Sequence, residues 1–372
     1  MMAASDAEPL FLEPGTRFAP ADIVRWAGKD TGSTLDEAIA RADVLVSAPH
    51  AGSLIPGELR EFLAPELTRR LQFDFTDQST SPVVRRWAEI DESIVVVENP
   101  HPRLVRDPNR ARPADLRASL AEALARVRAA GPFERVDLTG VDAIRPVTFS
   151  FFPLLRVSAD ETEAEIERLT RAFEDAGTRG VDVYERTRDD LLERFAARAI
   201  DAGTRFTTLS FHDTMNTTTT RDGAVNVPRA EADRLPAVVA LSNRGDERGE
   251  RRGEDASMSV TMHPDRVRTL AEAHRAAFGV RAASDVALNK PYLGSQEIIR
   301  AGARFGELAG AASATGAQLD AVQAEFLREY LLGEANAEIL RRPGVGWVEP
   351  DLDHVDRLAH ACRDAWALYR QN

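Results

Sequence analysis

Three things are scarce in this 372-residue chain, and each scarcity removes a class of protein. There is one cysteine, Cys362, so neither an internal disulfide framework nor a multi-cysteine metal site can be built. No apolar run approaches the ~18 residues that span a bilayer. Basic charge is in deficit: 47 Lys and Arg stand against 60 Asp and Glu, a net charge of −13. Nucleic acid and anionic membranes both reward a basic face, so neither is expected as a partner. Lysine is nearly missing, with only Lys29 and Lys290, a bias that reflects genome composition rather than chemistry. The acidic N-terminal stretch has no basic n-region and no long apolar h-region, so no signal peptide is expected there. At 43% hydrophobic residues the chain can bury a large core. A soluble, cytoplasmic globular protein is the expectation, with the oligomeric state left open.

Short β-branched or aromatic runs that end in turn residues read as buried strands. They are residues 43–47 (DVLVS), 93–98 (SIVVVE), 147–152 (VTFSFF), 206–211 (FTTLSF), 237–241 (AVVAL) and 286–288 (VAL). Helical spacing lies between them. Leu116, Leu120, Leu124 and Val127 form one stripe, and Ser158 with Glu161 looks like a capping box for a helix carrying Ile166, Leu169 and Phe173. Residues 264–278 and 352–369 read as two further helices. Strands alternating with helices predict an α/β fold: a three-layer α/β/α sandwich on a mainly parallel, mixed sheet. No linker divides the chain, so residues 1–372 are expected to form one hydrolase-type domain. Within it, residues 113–200 are rich in helix formers and read as a helical insertion or lid. Residues 243–257 (NRGDERGERRGEDAS) read as a mobile, solvated loop, since acidic residues interleave their arginines.

In open α/β sheets ligands collect beyond the carboxyl ends of the strands. Two histidines stand there: His50 after VLVSAP, and His212 directly after FTTLSF. Imidazole is the commonest neutral metal ligand, and a hydrolytic zinc site needs two or three side chains plus an open position. His263, His274, His354 and His360 fall in helices or caps, where a hydrogen-bonded structural role is the ordinary outcome; His101, between two prolines, is intermediate. Asp74 and Asp77 (FDFTDQST) could each complete a two-histidine, one-carboxylate set. The segment ENPHPRLVRDPNRARP carries Arg103, Arg106, Asp107, Asn109, Arg110 and Arg112. Such arginines either balance an acidic surface or clamp a carboxylate bidentately. Phosphate-loop, dinucleotide, nucleophile-elbow and H-E-x-x-H motifs are all absent. Cys362 reads as a small packed hydrophobe.

Taken together, these stretches resemble the N-formylglutamate amidohydrolase family. The matching residues are Ser47-Ala48-Pro49-His50-Ala51-Gly52 with Ile55-Pro56, then Thr76-Asp77, then Arg103-x-x-x-Asp107-x-Asn109-Arg110. Phe211-His212 with Met215, Gly245-Asp246 with Gly249, Asn289-x-Pro291-Tyr292-x-Gly294 and Gln323-x-Glu325 follow in the family's order, within residues 43–330. The resemblance implies a fold related to zinc carboxypeptidases, in the phosphorylase/hydrolase-like group. It implies cleavage of the formyl amide of N-formylglutamate to formate and glutamate, with one divalent metal, zinc first and Mn, Co or Fe as alternatives. On this resemblance His50 and His212 are metal ligands, Asp77 is the third ligand with Asp74 and Glu58 as rivals, and Glu325 is the general base. Asn109, Arg110, Asn289 and Gly294 would bind a small carboxylate-bearing amide. Arg103 would serve the same anion or the developing oxyanion.

The chain also departs from the family pattern. Asp320 stands where a histidine usually precedes Gln-x-Glu, Asp213-Thr214 separates His212 from Met215, and Gly294-Ser295 replaces a glycine pair. Two other readings therefore stay in play: an amidase or peptidase of a different small substrate on the same metal centre, or a non-catalytic binding protein on a decayed scaffold. The segment QLDAVQAEFLREYLLGE is ambiguous between helix and strand; only as a strand would Gln323 and Glu325 share a face.

Overall fold

The computed structural model describes residues 7–158, 162–253 and 259–371. At its centre is a seven-stranded sheet: β1 Val24–Arg25, β2 Val44–Ala48, β3 Ile94–Glu98, β4 Arg205–Thr214, β5 Val239–Ser242, β6 Val286–Leu288 and β7 Gln318–Leu327. The spatial order is β6-β5-β7-β4-β2-β3-β1. Pairing is parallel from β7 through β4 and β2 to β3 and between β6 and β5, whereas β5/β7 and β3/β1 run antiparallel. The expected mixed, mainly parallel α/β sheet is therefore what forms.

Period-two alternation sends successive side chains to opposite faces, and both faces are covered. Val44, Val46, Leu209, Phe211, Val322, Ala324 and Phe326 pack with helices α1 Thr80–Ile90, α5 Pro264–Ala277 and α7 Leu352–Arg370. Leu45, Val95, Val97, Phe206 and Ala321 pack on the other face with α4 Val181–Ala202 and α6 Gln296–Thr315. Helices α2 Leu116–Ala130 and α3 Glu163–Arg179 join a third cluster, with Ile55, Leu59, Leu154 and Phe173, built over the loop that follows β2. Residues 113–200 thus contribute to two layers: α2 and α3 pack over that loop, and α4 lies on the sheet itself. No helix among the described residues is long and apolar enough to cross a membrane.

Three local expectations change. Residues 147–152 form a turn rather than a strand: the Thr148 hydroxyl accepts from the amides of Ser150 and Phe152, and Phe151 sits at φ 64°. These side-chain bonds take the donors that a sheet ladder would need. The capping box of α3 is Thr162 with Glu165; of the expected pair, Glu161 lies outside the described residues. The 243–257 loop is pinned at its base, where buried Asn243 donates to the carbonyls of Gly249 and Met262; its residues 254–257 lie outside the described residues.

Candidate metal centre

The ambiguous segment is settled as β7, a ten-residue strand held between β4 and β5. Its register sets Glu325 opposite His212 and Gln323 opposite Ser210, while Ser47 of β2 lies opposite Ser210 from the other side. One row across three strands is therefore Ser47, Ser210 and Gln323, and the next row towards the carboxyl ends holds His212 and Glu325. His50 arrives from the turn after β2. Asn99 secures that turn, its amide nitrogen donating to the Pro49 carbonyl at 2.8 Å. Gly52 is required there: a Cβ would come within 2.4 Å of the Pro100 carbonyl carbon. Asp77 is carried in by its own backbone, which donates to the His50 carbonyl and whose carbonyl accepts from the Thr80 hydroxyl at the start of α1.

His50, Asp77 and His212 are all buried, and one ligand atom from each lies within 4.8 Å of the others. No other such cluster occurs among the described residues. His50 Nε2 is 2.8 Å from Asp107 Oδ1, and a carboxylate can only accept, so Nε2 carries the hydrogen. That leaves a lone pair on His50 Nδ1, which is buried without a hydrogen-bond partner and lies 3.3 Å from Asp77 Oδ2. His212 Nδ1 is 3.0 Å from the same oxygen. Burial and Arg103 oppose a charge on His50, yet Asp107 and Asp77 raise its pKa, so this spot favours positive charge. An orphaned lone pair beside a shared carboxylate oxygen, backed by a carboxylate on the far imidazole nitrogen, fits a divalent cation. Burial pushes Asp77 up, but the charge of His50 and the hydrogen bond of His212 hold it well below the usual carboxylate range.

A cavity of about 540 Å³ opens above these ligands. A larger groove of about 790 Å³, along the β6 edge by Arg234, Arg268 and Lys290, holds no comparable cluster. Glu325 lines the cavity, accepting from the Thr214 hydroxyl and the Gln323 amide, both at 2.7 Å. Burial, with Asp77 adding to it and His212 opposing, raises the Glu325 pKa. Arg103 is held by Asp107 at 2.7 Å and lies over the Phe149 ring. Asn109 also lines the cavity, its side-chain amide 3.4 Å from His212 Nε2.

Other expected residues are placed differently. Arg110 borders the cavity, but its Nε donates to Asp142 at 2.6 Å. Gly294 is on the wall, whereas the side chain of Asn289 turns into the 243–250 loop, donating to Asn243 Oδ1 and the Asp246 carbonyl. Of the rival carboxylates, Asp74 is on the cavity wall bonded to Thr219, and Glu58 pairs with Arg179 away from the cluster. The substituted positions are tied into ion pairs: Asp320 is clamped by Arg266, and Asp213, on the cavity wall, pairs with Arg328. Burial, aided by Asp77 and Glu325 and opposed by Arg328, pushes Asp213 up to about 7.

Sequence reasoning missed one further arginine. Arg229 and Tyr292 face the cavity, with Arg229 Nη1 3.3 Å from the Tyr292 hydroxyl. Arg103, Arg110 and Arg328 each hold a carboxylate; Arg229 has no ion pair among the described residues, and its Nε is buried with no hydrogen-bond partner. Only its position marks it, in a polar stretch that no motif singles out.

Residues 42–332 match the N-formylglutamate amidohydrolase family. The chain belongs to that family. It is accordingly an amidohydrolase-type hydrolase, acting on a small amide substrate. No curated protein matches it. Among solved structures it is similar to a gene product of Agrobacterium tumefaciens known from its crystal structure, at 18% identity over 82% of this chain and 85% of that one, with a TM-score of 0.42.

Proposed function

We propose that this member of the N-formylglutamate amidohydrolase family is a metal-dependent enzyme that removes the formyl group from an N-formyl amino acid such as N-formylglutamate. The observation that carries the reading is the convergence of His50 Nδ1, His212 Nδ1 and Asp77 Oδ2, with Glu325 on the adjoining strand. Those three side chains would hold the ion, zinc first. When bound, it supplies Lewis-acid polarisation of the amide carbonyl and makes hydroxide available near neutral pH.

The chain's own groups do the rest. Glu325 keeps unused lone pairs on both oxygens and takes the proton of the attacking water. It returns that proton to the amide nitrogen as the carbon–nitrogen bond breaks, so water's oxygen ends in formate and its hydrogen on the amine. Arg103, fixed by Asp107 and its stacked ring, sets a positive charge beside the developing oxyanion. Arg229 and Tyr292 take the substrate carboxylate, because that guanidinium has no internal carboxylate to give up. Arg110 must first release Asp142, so its share is smaller.

Elemental analysis of the purified protein beside a His50→Ala/His212→Ala variant is the test, with a panel of N-formyl, N-acetyl and N-succinyl amino acids. About one metal per chain, lost in the variant, together with turnover of an N-formyl amino acid, is expected. No metal even after added zinc overturns the metal reading; bound metal without turnover of any amide leaves a binding protein.

A further inference from the structure

Behind Ser210, outside the 540 Å³ cavity, lies a buried carboxylate that the proposed chemistry does not use. Glu297 stands in the first turn of α6. Its Oε1 accepts from the Tyr184 hydroxyl at 2.7 Å and from the Arg188 guanidinium. Its Oε2 accepts from the hydroxyls of Ser47 at 2.7 Å and Ser210 at 2.9 Å. Ser210 Oγ is also 2.9 Å from His212 Nε2. A serine has one hydrogen to give, and a bond to a carboxylate is roughly twice as strong as one to a neutral acceptor. The Ser210 hydrogen therefore goes to Glu297, which leaves Ser210 Oγ as an acceptor facing His212 Nε2.

We propose that Glu297 is a positioning residue for the metal centre: acting through Ser210, it keeps the hydrogen of His212 on Nε2 and leaves Nδ1 to face the ion. The inference rests on the metal reading above, and it mirrors what Asp107 does directly for His50. Burial works against a charge on Glu297, but Arg188 and the hydroxyls of Tyr184 and Ser47 more than offset it, bringing its pKa to about 2. The group is thus a carboxylate at any working pH. Asp77 is the competitor, since its Oδ2 would accept a hydrogen from His212 Nδ1. Glu297 counters it by making Ser210 an acceptor.

Glu297→Gln reverses the polarity of the chain. Arg188 offers only donors, so the amide oxygen takes the Oε1 side and the amide nitrogen faces Ser47 and Ser210. Ser210 then turns its hydrogen to His212 Nε2, and the ring hydrogen moves to Nδ1, where it excludes a metal. Zinc affinity, measured by chelator competition, is expected to fall roughly 10- to 100-fold in Glu297→Gln. In a Ser210→Ala background the same substitution should cost nothing further, because the link is already cut. A loss of equal size with and without Ser210 would show that Glu297 merely anchors α4 and α6, and overturns the proposal; so does unchanged affinity. Nitrogen-15 NMR of His212 provides a readout that needs no metal. A hydrogen on Nε2 is expected in the zinc-free wild type, shifting to Nδ1 in Glu297→Gln. A neutral Nδ1–H ring in the zinc-free wild type would sink the idea. If the wild type binds no zinc, the metal reading fails while the NMR result still decides the relay.

Discussion

The two ends of the cavity are built on opposite principles. At the floor each side chain of the proposed chemistry is fixed by a neighbour: His50 by Asp107, Asp107 by Arg103, His212 by Ser210, and Glu325 by Thr214 and Gln323, with His50 Nδ1 left open towards Asp77. These groups sit on strand ends or the turns that leave them, where the backbone ladder sets side-chain positions. At the mouth, Arg229 and Tyr292 come from loops, touch each other at 3.3 Å, and leave a buried guanidinium nitrogen unmet. A satisfied network pre-organises chemistry, whereas an unsatisfied donor waits for a ligand. The contrast assigns reaction to the floor and recognition to the mouth.

The strongest way to break that division is at the floor. Glu325→Gln is expected to lower kcat by roughly 10²–10⁴-fold with KM little changed and metal content retained. A large rise in KM, with kcat kept, would move Glu325 into recognition instead. At the mouth, Arg229→Ala should lower kcat/KM for an N-formyl amino acid by about 10²-fold, in line with the ~2–5 kcal/mol lost when a buried charge pair is cut. Turnover of an uncharged formamide should be unaffected. Arg110→Ala, whose guanidinium already holds Asp142, should cost about tenfold or less on the same substrate, consistent with partial competition between two carboxylates for one arginine. If Arg110→Ala costs more than Arg229→Ala, the carboxylate lies at Arg110 after all.

Below the floor, the comparison can be sharpened by pH. His274 is fully buried on α5, donates from Nδ1 to the Leu270 carbonyl, and stacks on Phe278. Phe278 leads through Phe326 to Phe211, the residue before His212. Burial lowers the His274 pKa to about 4. Its folded value lies below its unfolded one of ~6.5, so the unfolded state binds the proton first. The neutral ring's contribution is complete above about pH 6.5 and is lost as pH falls towards 4, by about 3 kcal/mol at most. Denaturant midpoints between pH 7 and 4 should fall less steeply in His274→Gln than in the wild type; parallel curves would exclude His274 as the cause. The smallest effect belongs to the exposed Arg86–Asp356 pair joining α1 to α7, where Arg86→Ala should change stability by no more than ~1 kcal/mol.

Much of the floor is legible in the sequence because the rules that place it are local. Strands leave a period-two pattern, and histidines just past their carboxyl ends are placed by chain direction alone. His50 and His212 meet for that reason. Glu325 was different: apolar residues at 319, 322, 324 and 326 satisfy either a helix or a strand. Only pairing with β4 and β5 chose the strand and set Glu325 opposite His212, and only tertiary packing brought Glu297 of a distant helix to Ser210. Asn109-Arg110 showed the limit of motif reading, since the sequence carries no sign that Asp142 would engage the arginine.

By itself, then, the sequence determined the alternating layers, the strand ends and the ligand types, because hydrophobic period and residue chemistry act over a few neighbouring residues. Tertiary structure alone decided which charges cancel, leaving Arg229 open and Arg110 occupied, and which hydrogen each imidazole carries. Those outcomes depend on groups 32 to 135 residues apart meeting within about 3 Å, where hydrogen bonding is directional and short-ranged.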